Sequence, residues 1–110
     1  MKTGNEPPRK YTAFRNAFPK LGEAWDCIHQ AEAVGPLDEK SSRLIKLAVA
    51  IGALKEGAVH ASVRKALLAG VTPGEIYQVV ALGASTLGMP STVAAYTWVQ
   101  DVLETPGKKA

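Results

Sequence analysis

Glu56-Gly57-Ala58-Val59-His60-Ala61-Ser62-Val63-Arg64-Lys65-Ala66-Leu67-Leu68-Ala69-Gly70-Val71-Thr72-Pro73-Gly74-Glu75-Ile76 decides the fold class of this chain. Val59, Val63, Ala66 and Leu67 recur at helical spacing and form an inner stripe, with Arg64 and Lys65 outside it. Gly70 stands where a helix ends in a left-handed residue. Thr72, Pro73 and Glu75 then supply an N-cap, a proline in the first turn and the third-position carboxylate of a capping box. One helix stops and a second starts within five residues.

The same reading extends both ways. Upstream, Asp38 is a plausible N-cap for a helix running to Leu54. From Leu47 to Leu54 that helix has no polar face, so it is expected to be buried all round, as a central helix or at a subunit interface. Gly35-Pro36 ends an earlier helix that begins at Pro19 and carries Leu21, Trp25 and Ile28. Tyr11, Phe14 and Phe18 share a face of a short helix before it. Downstream, the helix capped by Thr72 is expected to reach Leu87, where Gly88-Met89-Pro90 breaks it and a last helix runs to Leu103. No β alternation and no repeat occurs. The chain therefore reads as all-α, with about six short helices. Residues 10–104 form one domain, 1–9 a flexible arm and 105–110 a flexible basic tail.

Composition narrows the function classes. Hydrophobic residues make up 46% of the 110 positions and aromatics 6%, so small aliphatics must supply most of the core. The net charge of +3 owes much to the ends, at Lys2, Arg9, Lys10, Lys108 and Lys109. Without basic runs interleaved with exposed aromatics, nucleic acid is not an expected partner. No stretch approaches the ~20 apolar residues that span a bilayer, and no apolar leader is visible, so the cytoplasm is the expected location. Cys27 is the only cysteine, which excludes an internal disulfide and dithiol chemistry. Two histidines show no neighbouring carboxylate cluster in the sequence, and no phosphate loop is present, so no metal or cofactor is expected.

Three stretches, Leu44 to Gly52, Glu56 to Ile76 and Leu87-Gly88-Met89-Pro90 with the Ala-rich segment after it, together resemble the carboxymuconolactone decarboxylase family. That family includes the alkylhydroperoxidase D-like proteins. The resemblance implies an all-α bundle assembled as a homotrimer or homohexamer. It also implies decarboxylase chemistry or peroxide chemistry. The redox branch of the family uses a Glu, a Cys-x-x-Cys pair and a His; the matching positions here hold Arg43, Lys55, Ala58 and Ser62. The decarboxylase branch keeps its His where this chain has Ser62, and this chain has His60 two residues earlier.

The chemical candidates follow. Glu56, His60 and Arg64 stand one turn apart on one helical ridge, where a carboxylate, an imidazole and a guanidinium could bind a small organic acid and move a proton. His60 and Glu56 are the candidate catalytic pair, and Arg64 and Lys55 the candidate anion binders. The bland reading of the ridge is a surface salt-bridge ladder with a half-buried histidine. A Cys27–His29 dyad is disfavoured, because residues two apart diverge on a helix. Tyr77, Tyr96 and Trp98 either wall a pocket or pack in a core or interface. Three functions remain open: a decarboxylase or proton-transfer enzyme, a non-catalytic oligomeric ligand-binding scaffold, and residual peroxide or thiol chemistry at Cys27.

Overall fold

The computed structural model describes residues 9–104. Residues 1–8 of the expected arm and the tail 105–110 lie outside the described residues, and Arg9 belongs to the first helix. The described residues are helical with no strand: α1 (Arg9–Ala17), α2 (Pro19–Glu32), α3 (Glu39–Gly52), α4 (Glu56–Leu68), α5 (Pro73–Leu82), α6 (Ala84–Leu87) and α7 (Met89–Leu103). Contacts gather these into two compact units, Met1–Pro36 and Leu37–Ala110.

In the first unit α1 and α2 form a helical pair. Pro19 opens α2 in its first turn, as the sequence predicts. The pair is tied by a bidentate bridge, in which both terminal nitrogens of Arg15 donate to the Asp26 carboxylate at 2.7 Å. Donation from Arg15 holds the Asp26 carboxyl below the usual carboxylate range. The guanidinium crosses α2 at Gly22, where a Cβ would stand 2.8 Å from Arg15 Nε. Leu21, Trp25 and Ile28 share one face of α2 and are about half exposed.

In the second unit four helices close a ring around one core. α3 packs on α4, α4 on α7, α7 on α5, and α5 back on α3. Leu47, Val59, Val63, Ile76 and Val99 are fully buried at the centre. The predicted caps are in place. Asp38 accepts from the Ser41 amide at 2.9 Å. The Thr72 hydroxyl accepts from the Glu75 amide, and the Glu75 carboxylate accepts from the Thr72 amide, completing the capping box. At the end of α4, Gly70 adopts φ +92°, and the Val71 and Gly70 amides return to Ala66 and Leu67 as in a Schellman motif.

One expectation is corrected and another narrowed. The helix capped by Thr72 does not run unbroken to Leu87. Gly83 turns its amide to Val80, three residues back, and separates α5 from α6. Of the two settings expected for α3, a central helix or a subunit interface, the chain by itself does not supply the first. Leu47, Ala50 and Ile51 face the core, whereas Ile45 is 49% and Val49 66% exposed. Four helices in a ring cover only the inner side of each, so an apolar outer side stays open.

Candidate functional site

The candidate chemistry lies on the packed pair α4 and α7. α4 begins after an unusual junction. α3 ends at Gly52, and Leu54 takes the left-handed conformation with φ +55°. The Leu54 and Lys55 amides return to Ile51 and Ala50, the same Schellman pattern that glycine makes at the end of α4. This turn sets Lys55 as the N-cap of α4 and starts the helix at Glu56.

His60 lies one turn on, between the buried residues Val59 and Val63, and its side chain is three-quarters buried. Its Nε2 is 3.0 Å from Asp101 Oδ2 on α7 and 3.9 Å from Glu56 Oε2 on its own helix. Asp101 reaches it because Ala95 and Val99 of α7 are fully buried in the same core as Val59 and Val63. The three donor atoms lie within 4.8 Å of one another. Two carboxylates thus converge on one imidazole nitrogen.

Of the residues expected to act together, the fold unites Glu56 and His60. Arg64 on α4 and Lys55 at its N-cap are exposed and form no ion pair among the described residues. Asp101 is the residue the sequence reading misses. Its one available signal is that α7 carries no other charged side chain. Ser62 is partly buried, Ala58 is exposed and Arg43 is partly buried, so the positions matching the redox branch hold no thiol. Cys27 is free and exposed on α2, where Trp25 and His29 stack edge to face at 5.0 Å.

Described residues of the second unit line two grooves that do not include His60. One of 580 Å³ runs between α3, α5 and α6 and is mostly apolar, with Glu75 and Gln78 at its rim. The other, 460 Å³, has Tyr77 and Tyr96 as walls, their rings 5.6 Å apart. Burial pushes the Tyr77 hydroxyl up from its ordinary range, and its donation to Glu104 adds to the shift. Trp98 instead packs against the core. Among the described residues no helix is long and apolar enough to cross a membrane.

Fold and site together define a helical-bundle protein with an imidazole–carboxylate cluster on two adjacent helices. Residues 19–101 match the Carboxymuconolactone decarboxylase family, about three-quarters of the chain, and the chain belongs to that family. No match was found among curated proteins or among solved structures.

Proposed function

We propose that the protein is a proton-transfer enzyme of this family acting on a small organic acid, with His60 as acid and base. The observation that carries the reading is the 3.0 Å contact between His60 Nε2 and Asp101 Oδ2. A carboxylate on one ring nitrogen fixes the ring, selects the tautomer that protonates that nitrogen and leaves the other free to exchange a proton with substrate. Asp101 therefore positions the imidazole, with the Glu56 carboxylate 3.9 Å from the same nitrogen. Arg64 and Lys55 bind the substrate carboxylate from α4 and its N-cap. In a decarboxylation the bond to the leaving carboxylate breaks and carbon dioxide departs. Its electron pair stays on the adjacent carbon, and the His60 imidazolium supplies the proton that ends there.

The test is turnover, or solvent-deuterium exchange followed by NMR, across small carboxylated lactones and keto acids. His60→Ala is expected to lose about 10²–10⁴-fold, the usual contribution of a positioned acid–base group. Asp101→Asn is expected to lose at least about tenfold in kcat with little change in KM. Unchanged turnover in His60→Ala would sink the assignment.

The runner-up is a ligand-binding scaffold without catalysis, favoured by the apolar 580 Å³ groove that His60 does not line. An apolar carboxylic acid that binds Ile45→Trp and wild type differently, with no turnover in either, would support it. In both readings the protein works as a homotrimer or homohexamer, a proposal supported by the open apolar side of α3.

A further inference from the structure

The geometry points to a divalent transition-metal site formed by Glu56, His60 and Asp101. The inference concerns the same three side chains as the proton-transfer reading but rests on their ligand geometry alone, not on any turnover.

Glu56 and His60 are four apart on α4, the spacing that lets two side chains of one helix reach a single ion. Asp101 adds the third ligand from α7. Zinc bonds to imidazole nitrogen and carboxylate oxygen are about 2.0–2.2 Å long, so tetrahedral ligand atoms stand about 3.4 Å apart. The separations from His60 Nε2 are 3.0 Å and 3.9 Å, on either side of that value, and all three ligand atoms lie within 4.8 Å of one another. An ion bound by the three atoms would replace the direct contact between His60 and Asp101. It requires only a small side-chain adjustment at exposed Glu56. The helices need not move, because Val59, Val63, Ala95 and Val99 pin both backbones in the core beside the ligands. Two carboxylates neutralise the ion's charge, and the imidazole selects transition metals over magnesium or calcium. Three protein ligands leave a position open to water or to a ligand oxygen, the pattern of reactive rather than structural zinc.

The full chain, stripped with chelator, should be titrated with Zn²⁺ by calorimetry and with Co²⁺ by visible absorption. Wild type is expected to take up one ion per chain and to give the intense bands of a low-symmetry cobalt site. His60→Ala and Asp101→Asn should each weaken binding by more than about 100-fold, beyond the 10–100-fold that losing an outer partner costs. Glu56→Gln should weaken it as well. The double variant Cys27→Ser/His29→Ala removes the other soft donors and should bind as wild type does. Circular dichroism verifies that each variant is folded. The site is overturned if wild type binds zinc no better than His60→Ala, or if the double variant abolishes binding. The two readings fail separately: absent zinc binding with turnover lost in His60→Ala removes the metal and keeps the proton transfer, and zinc binding with His60→Ala fully active does the reverse.

Discussion

Leu54 shows how a single residue carries cost for the sake of position. Its φ of +55° is one that non-glycine residues enter at about 1–2 kcal/mol. At the matching point after α4 the chain uses Gly70, where no atom lies within 4 Å of an added Cβ. The penalty at such a site is therefore in the backbone, not in crowding. Leu54→Gly removes the strain and gives back part of it, about 0.5–1 kcal/mol, through the greater freedom of glycine in the unfolded chain. Leu54 is 43% exposed, so losing its part-buried side chain costs about 1 kcal/mol. The expected outcome is a change within about 0.5 kcal/mol of zero, far short of an ordinary loss of packing, read from a denaturant midpoint with unchanged slope. A loss above 1 kcal/mol would show that the Leu54 side chain, rather than its backbone turn, holds the α3–α4 junction that delivers Glu56 and His60.

Helix ends are where elements are written most legibly, and the caps of α3 and α5 give a prediction at that scale. Thr72→Ala removes the acceptor for the Glu75 amide and should cost about 1 kcal/mol by chemical denaturation. An unchanged midpoint would mean that Pro73 alone specifies the start of α5. The caps also set an acid response. Asp38 is held below its ordinary range by its hydrogen bonds to Ser41, and Glu75 by the Thr72 amide. A carboxylate whose folded value lies below its unfolded value, about 3.9 for Asp and 4.3 for Glu, contributes fully above the unfolded value. That contribution is lost as pH falls through the folded value. Stability should therefore be level above about pH 5 and fall below about pH 4, with Glu75→Gln flattening part of that acid limb. A decline that began well above pH 5 would assign the acid response to other groups.

At the scale of the whole molecule the decisive feature is apolar surface left open. Ile45 and Leu82, the latter 70% exposed, line the apolar groove between α3 and α5, and Val49 is 66% exposed on the outer side of α3. Monomers seldom expose contiguous apolar patches beyond a few hundred Å². Covering one would contribute several kcal/mol per subunit at about 25 cal/mol per Å², before association entropy is subtracted. Light scattering at micromolar concentration should therefore report at least three subunits. Val49→Glu, which places a charge in the patch without touching the core, should shift the population toward monomer while the helical signal is retained. A folded wild-type monomer under those conditions would leave the open side of α3 without this explanation.

Local interactions made much of this protein readable in one dimension. Thr72, Glu75, Asp38 and Gly70 act on backbone groups within a few residues of themselves, so their caps and turns follow from the sequence alone, as does the helical class. The stripe Val59, Val63 and Ala66 likewise reports its own burial, because a helix repeats its inner face at fixed spacing. Gly83 was less legible, since one glycine in an apolar run is compatible with a continuous helix and with a break. The pairing of His60 with Asp101 lay beyond sequence spacing altogether. Forty-one residues separate them, and only the packing of α4 against α7 decides that they meet. The open side of α3 was decided the same way: sequence shows that Leu47 to Leu54 lacks a polar face, but which residues a neighbour covers depends on how four helices close their ring.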